Sequence, residues 1–365
     1  MKVLLFTASY GDGHHTVGRA LMEAFQRRGI DAISLDSFRE TNRFTAAVSE
    51  LSYEISSKYF PWMYGASYRM TANLSVSHPL WQMFAFMSRR AALEAIHMHK
   101  PDVVLQLFPD HSLCTLVKTG ERRPFIGVVL TDYSLHSRWF HRAVDAYYLP
   151  SQELVDGAMG LSDGQASLVV TGIPVREEFS SNDMGDRPVE EPYILFSTGG
   201  RGVFRDLTRT LKVARTVFPE HTIYVMCGRN ERMYGVVEHL CRSDPRIVPK
   251  GFQNNMSSWL RHAQLAVMKS GGVTVTEALV SRCPMVLYRP YSGQEADNAR
   301  YVERMGAGKI AQGLRRFREA LLYFADKDHR ESARLSCVRA ASAHAADKMV
   351  DDLVHRFGDN LSPNS

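Results

Sequence analysis

Short apolar runs of strand length alternate with helix-length amphipathic segments along most of the chain, and they do so twice, on either side of one polar stretch. A parallel sheet demands such alternation, because two parallel strands cannot be joined by a tight turn and need a crossover long enough to hold a helix. In the first series the strand candidates are 2–8, 31–35, 102–107, 125–130, 145–149 and 167–171. An amphipathic stretch over 15–29 closes on Gly29, where a helix C-cap glycine is expected. Residues 176–192 are rich in Asp, Glu, Ser and Pro and lack apolar periodicity, which marks a linker. A second series begins at Tyr193 and continues with 222–226, 246–248, 264–268 and 284–287, while 315–357 reads as helical and 358–365 as a frayed tail. The spacing predicts an α/β chain with a first domain over 1–178, a linker over 179–192, a second domain over 193–330 and a C-terminal helix and tail over 331–365. Two such domains are expected to enclose a cleft, and ligands in open α/β sheets bind beyond the carboxyl ends of the strands.

At 365 residues the chain exceeds one ordinary core, and its 45% apolar and 23% charged residues suit a globular protein. The five cysteines are scattered without a C-x-x-C pair, which points to reduced thiols and away from a disulfide framework or a zinc site. A net charge of +5 does not call for a nucleic-acid partner. No run approaches the ~18 to 20 apolar residues of a membrane span. The start, Lys2 followed by an apolar strand, makes a poor signal peptide. A soluble or peripheral protein is expected.

Two stretches carry chemistry. The first is Thr7 to His15, between the first strand and the first helix, with Gly11 and Gly13 permitting a tight turn and His14 at the helix start as a candidate general base. A dinucleotide site competes for these residues, because Gly11-x-Gly13 follows a strand and Asp36 ends the next one, but Thr16 stands where the third glycine belongs. A plain glycine turn with solvated histidines is the bland reading. The second stretch is Lys269 to Ala278 and then Pro290 to Asn298. Gly271 and Gly272 open a helix start to a diphosphate, with Thr274 adding a hydroxyl. Glu277, one turn on, can accept both hydroxyls of a ribose, and Gln294 with Glu295 are paired polar groups of the kind that hold sugar hydroxyls.

Taken together, these stretches resemble glycosyltransferase family 28, and within it the diacylglycerol glycosyltransferases and monogalactosyldiacylglycerol synthases. The resemblance also covers Leu130 to Tyr133 with His136 and Trp139, Thr171 to Arg176, Gly199-Gly200-x-Gly202 and Cys227 to Asn230. It implies a GT-B architecture, two Rossmann-like domains facing a central cleft. It further implies inverting transfer of a hexose from UDP-glucose or UDP-galactose to diacylglycerol, without metal or cofactor. The catalytic candidates are then His14 and Asp132. The donor candidates are Gly13, Gly200, Arg229, Gly271, Gly272, Thr274, Glu277, Gln294, Glu295 and Asn298. The chain departs from the pattern at Ser9, where several relatives carry Asp or Asn, at Ser270 in place of a proline, and at Arg282-Cys283, where a glycine is usual.

Between Glu54 and Glu94 there is no acidic residue, while Lys58, Arg69, Arg89 and Arg90 alternate with aromatics including Trp62, Trp81, Phe84 and Phe86. Such a segment suits an anionic membrane surface, with Trp62, Arg69, Trp81, Arg89 and Arg90 as the expected contacts on the cytoplasmic face. An ordinary core segment is the alternative. Asp326-Lys327-Asp328 matches a metal-using D-x-D pattern but lies in a helix-connecting turn, and His97 and His99 do not face one another, so no metal site is expected. Three rival functions share this frame: an N-acetylglucosamine transferase acting on a polyprenyl-linked acceptor, a UDP-sugar 2-epimerase, and a silent nucleotide-sugar sensor.

Overall fold

The computed structural model describes residues 1–8, 12–36, 68–72, 74–75, 78–116, 123–162, 164–181, 185–200, 202–291 and 293–357. It divides into two compact units, Met1–Glu177 with His344–Ser365, and Glu178–Ala343.

In the first unit β1 (Lys2–Thr7), β2 (Asp31–Asp36), β3 (Val103–Gln106), β4 (Phe125–Val129), β5 (Ala146–Leu149) and β6 (Ser167–Val170) form a parallel sheet in the order β2-β1-β3-β4-β5-β6. Its helices include α1 (Asp12–Arg27), α2 (Pro79–His99) and α3 (Val155–Leu161). Strand β1 reads as an unbroken apolar run because both of its faces are covered: Val3, Leu4, Leu5 and Phe6 are all buried. At the amino ends of the strands the Asp145 carboxylate takes both arms of the Arg123 guanidinium, at 2.8 and 2.9 Å, and the Ile126 amide at 2.9 Å, which ties the start of β4 to the start of β5.

The second unit repeats the plan with β7 (Tyr193–Ser197), α4 (Leu207–Val217), β8 (Thr222–Met226), α5 (Glu231–Ser243), β9 (Ile247–Lys250), α6 (Met256–His262), β10 (Leu265–Met268), α7 (Gly272–Val280), β11 (Met285–Tyr288), α8 (Gln294–Arg304), β12 (Gly308–Ala311), α9 (Leu314–Ala325) and α10 (Lys327–Ala340). Its parallel sheet runs β12-β11-β10-β7-β8-β9. Arginines fasten its helix ends: Arg261 donates to the carbonyls of Glu178, Phe179 and Ser181, and Arg334 to those of Arg282 and Ala263. Asp326 is the N-cap of α10 and accepts from the amides of Asp328 and His329, which accounts for the D-x-D pattern.

The stretch 331–365 is not one piece. All of α10 stays with the second unit, whereas α11 (Ala345–Phe357) belongs to the first. There Arg27 at the end of α1 and Arg28 just after it pair with Asp347 and Asp351, and Tyr148 of β5 donates to Asp352. A period-counting eye places the helix correctly but cannot say which sheet it returns to.

Helix α2 corrects the expected membrane contacts. Trp81, Ala85, Ser88, Ala92 and Ala95 recur at helical spacing and are buried, so Trp81 belongs to the core, with its ring centroid 5.8 Å from that of His111 and 5.9 Å from that of His136. Arg89 is half-buried and reaches Cys114 Sγ. The opposite face exposes Met83, Phe86 and Arg90, and Arg69 is also exposed. Trp62 lies outside the described residues. Trp81→Ala is therefore expected to destabilise the chain by about 3 to 5 kcal/mol in urea titration. Phe86→Ala, removing a side chain that is 79% exposed, should shift stability by no more than about 0.5 kcal/mol.

Candidate functional site

Strand order locates two places for chemistry. Strand β1 lies between β2 and β3, and β7 between β8 and β10, so in each sheet the order turns about the first strand and the loops at its carboxyl end part to leave a crevice.

In the first unit this crevice holds His14, the third residue of α1, with Gly13 before it. Ser9 and Gly11 lie outside the described residues. His14 Nδ1 is 2.7 Å from the carbonyl oxygen of Leu107, just beyond β3. A carbonyl can only accept, so Nδ1 carries the proton and Nε2 the lone pair. The backbone thus supplies the orienting partner that a carboxylate at position 9 does not. Thr131 Oγ1 stands 3.5 Å from the same nitrogen, which brings the turn after β4, and with it the half-buried Asp132, beside His14. The Phe108 ring meets the His14 ring edge-on at 5.1 Å, and the Arg138 guanidinium lies over Phe108 at 5.4 Å. Burial, with smaller contributions from His15 and Arg138, lowers the His14 pKa to about 4 against the pull of the Leu107 carbonyl.

Three more neutral histidines lie in the loops after β3 and β4. His141 Nε2 bonds Gln106 Oε1 at 2.7 Å, and Gln106 donates its amide to the Asp110 carbonyl. His111 Nε2 donates to the Arg138 carbonyl, and His136 accepts the Arg138 amide at Nδ1 while its Nε2 faces the Tyr68 carbonyl. In each ring one nitrogen is fixed as donor by an oxygen that accepts. Burial lowers His111 and His136 to about 4 and His141 to about 3. Asp110, beneath Ser88 Oγ and the Ser112 amide, is pushed up by burial.

In the second unit the crevice is built by backbone. Gly199-Gly200-x-Gly202 follows β7 and Cys227 to Asn230 follows β8, and the two loops interlock: the Arg229 amide donates to the Gly200 carbonyl and Asn230 Nδ2 to the Gly202 carbonyl. Gly228 has φ +59°, and a Cβ there would stand 2.5 Å from Gly200 O, so only glycine fits. After β10, Gly271 caps α7 with no side-chain bond to the helix start. Along α7 most residues are buried, but Gly271, Thr274 and Glu277 are half-buried at a spacing of three. That stripe opens one face of the helix start. After β11, Gly293 caps α8, whose first residues are Gln294 and Glu295. Glu295 Oε2 accepts the Tyr291 amide at 3.1 Å, and burial pushes its carboxyl up.

Asn298 is fully buried and donates to the Ser270 carbonyl, while Ser270 Oγ donates to the Glu295 carbonyl at 2.8 Å. Asn298 therefore braces the glycine turn, and Ser270 gains a bond that proline lacks. Arg229 is exposed and its guanidinium lies 4.3 Å over the Phe252 ring, which is itself 48% exposed just beyond β9. Sequence reading missed Phe252, Phe108, Arg138 and the Leu107 carbonyl. Arg138 stands between the quoted His136 and Trp139, so its neighbours signalled it; a backbone carbonyl has no sequence signal at all.

The family model described as monogalactosyldiacylglycerol (MGDG) synthase matches residues 14–175, and the glycosyltransferase family 28 C-terminal domain matches residues 194–349. The chain is 27% identical over 321 residues to a processive diacylglycerol beta-glucosyltransferase of Staphylococcus saprophyticus, covering 85% of this chain and 81% of the relative. Among solved structures it is similar in fold to MurG of Acinetobacter baumannii, with a TM-score of 0.62 and 13% identity over 98% of this chain and 100% of that one. The S. aureus MnaA–UDP co-structure gives a TM-score of 0.63 and 15% identity over 100% of this chain and 99% of that one.

The histidine geometry fixes a pH response. With native pKa values near 4 or 3 against 6.5 when unfolded, His14, His111, His136 and His141 bind protons more readily in the unfolded chain between those limits. Their contribution to stability is complete above pH ~6.5 and is lost as pH falls towards ~4. Urea titrations should show stability flat from pH 7 to 8 and falling by about 1 kcal/mol per pH unit per histidine below pH 6. His141→Gln should reduce that slope.

Proposed function

We propose that this chain, which belongs to the family 28 glycosyltransferases and has their GT-B fold, transfers glucose or galactose from its UDP-sugar to diacylglycerol with inversion. One observation carries the reading: a neutral histidine of fixed tautomer at the switch point of one doubly wound unit, in a chain whose other unit opens a Thr–Glu stripe at a glycine-capped helix start. The named relative supports diacylglycerol as acceptor.

The reaction follows from these parts. Backbone N–H groups at Gly271 and Gly272, with Thr274 and the Gly200 loop, receive the diphosphate; Glu277 accepts the ribose hydroxyls. The exposed Phe252 face with Arg229 suits the base, and Gln294 and Glu295 the sugar. The lipid hydroxyl attacks the anomeric carbon from the side opposite the diphosphate. The new C–O bond forms as the bond to phosphate breaks, UDP departs, and the hydroxyl proton passes to His14 Nε2. Asp132 is the second base candidate. No metal is required by this scheme.

Purified protein with UDP-glucose, UDP-galactose or UDP-N-acetylglucosamine and diacylglycerol vesicles should release UDP in step with glycolipid, undiminished by EDTA. Isomerised UDP-sugar without lipid product would overturn the reading. Glu277→Ala should weaken UDP binding by ~1.5 to 3 kcal/mol in calorimetry. His14→Ala should lower transfer ~10² to 10⁴-fold with UDP affinity nearly intact.

The lipid acceptor also calls for a surface. Among the described residues no helix is long and apolar enough to cross a membrane. Met83 and Phe86, one helical turn apart on α2 and strongly exposed, with Arg90 a turn further on, provide apolar insertion and charge for an anionic bilayer. Met83→Ser with Phe86→Ser should reduce vesicle binding at every salt concentration. Arg69→Glu with Arg90→Glu should reduce it mainly at low salt, each charge contributing ~1 kcal/mol within a Debye length.

A further inference from the structure

We infer that His136 is a positioning residue for the transfer: it clamps an exposed turn at Arg69 and Met70, which faces the lipid, to the loop beside His14, and so fixes where an acceptor hydroxyl meets the base. The role rests on the acceptor and membrane reading above. Residues 68–71 form one helical turn. Its outward side chains are Arg69 and Met70, the latter 79% exposed, while Tyr68, Thr71 and the following Ala72 are half-buried.

A seam of hydrogen bonds holds this turn to the loop after β4. His136 Nδ1 accepts the Arg138 amide at 3.1 Å, so the neutral ring carries its proton on Nε2. That nitrogen lies 3.1 Å from Thr71 Oγ1 and 3.2 Å from the Tyr68 carbonyl oxygen, and both can accept from it. Ser137 adds two bonds at 2.9 Å, from its amide to the Ala72 carbonyl and from its hydroxyl to the Thr71 carbonyl. The Tyr68 hydroxyl meets Ser134 Oγ at 3.2 Å. The His136 ring is packed between Tyr68, at 4.5 Å between centroids, and Trp81 of α2, at 5.9 Å.

The clamped stretch reaches His14 at both of its ends. Thr131 Oγ1 stands 3.5 Å from His14 Nδ1, and the Arg138 guanidinium lies over Phe108, whose ring meets that of His14 edge-on. Ser134, His136 and Ser137 fall between Thr131 and Arg138, so the turn grips the stretch in its middle. His136 also caps the 3-10 turn Ser137–Trp139, fixing the backbone from which Arg138 projects. His136 and Ser137 are both buried, and polar groups shut away from water must keep their partners, which makes the seam stiff. A turn that touches lipid is thereby held at a set distance from the imidazole that takes the proton. A misplacement of about 1 Å in such an alignment costs roughly 10²-fold in rate.

Two substitutions at one position separate the clamp from the cap. His136→Asn keeps an acceptor for the Arg138 amide but is too short to reach Tyr68 and Thr71, whereas His136→Gln carries a donor to the Nε2 position. Thr71→Val with Ser137→Ala opens the same seam and leaves the histidine in place. Thermal melting, UDP calorimetry, sedimentation with anionic vesicles containing diacylglycerol, and steady-state transfer to those vesicles are the readouts. In His136→Asn and in Thr71→Val with Ser137→Ala, kcat should fall about 10 to 10²-fold, while UDP affinity and vesicle binding stay within about twofold. His136→Gln should recover most of the lost kcat. Met70→Ser should give the opposite split, weaker vesicle binding and a higher KM for lipid, with the smaller effect on kcat. A kcat near that of the unsubstituted protein in either folded clamp variant overturns the inference, as does a His136→Gln no better than His136→Asn. Unchanged vesicle binding by Met70→Ser also overturns it, because the turn would then not face lipid, and leaves Met83 and Phe86 as the membrane contacts. If the unsubstituted protein makes no glycolipid from any of the UDP-sugars, the acceptor reading itself fails.

Discussion

Two parallel strands run the same way, so the chain must travel back along the sheet before each new strand can pair, and here it returns as helices that cover the faces they cross. Every strand carboxyl end then falls on one edge of its sheet, and the amino ends of the following helices gather on the same edge. Nothing about catalysis is needed to produce this. It follows from β1 pairing with β2 and β3, and β7 with β8 and β10, all in parallel. The candidate sites lie on an edge that the hydrogen-bond pattern already supplies with helix amino ends and their positive dipole ends.

The two units furnish that edge differently. In the second it is made largely of backbone: Gly202 and Gly228 let two loops touch main chain to main chain, with the Asn230 and Asn298 side chains bracing the turns. In the first it is made of rings, with His14, Phe108, His111, His136 and His141 each held by a carbonyl, an amide or another ring. A backbone site suits an anion whose position hardly varies. A cluster of neutral imidazoles keeps polar groups in a partly dry space without ionising them, which a cluster of carboxylates would not manage.

Much of this was legible beforehand. The apolar runs at 2–8, 125–130 and 193–196 coincide with strands because a buried parallel strand has no polar face to interrupt the run. Strand β12, Gly308 to Ala311, escaped notice because four residues with a lysine among them carry too little pattern. The glycine turns and their following acids could be read because glycine marks where backbone must come close. The misplacement of Trp81 has another cause. Composition shows that a segment is aromatic and basic, but only the helical period of Trp81, Ala85, Ser88 and Ala92 says that the tryptophan faces inward. Asn298 likewise lies on the inner face of α8, and the motif that names it does not reveal that face. The Leu107 carbonyl could not have been read, since every residue has one.

Helix α11 lies far along the chain from the unit it completes. During synthesis, residues 178–343 leave the ribosome as an uninterrupted block and can close around their own core, while the unit begun at Met1 still lacks the helix that pairs with Arg27, Arg28 and Tyr148. The part that starts first therefore finishes last. A chain cut short before Ala345 would retain the entire glycine-lined half and leave α1 and β5 without their partner, so the integrity of the histidine-bearing half reports that translation has run through to the end of α11.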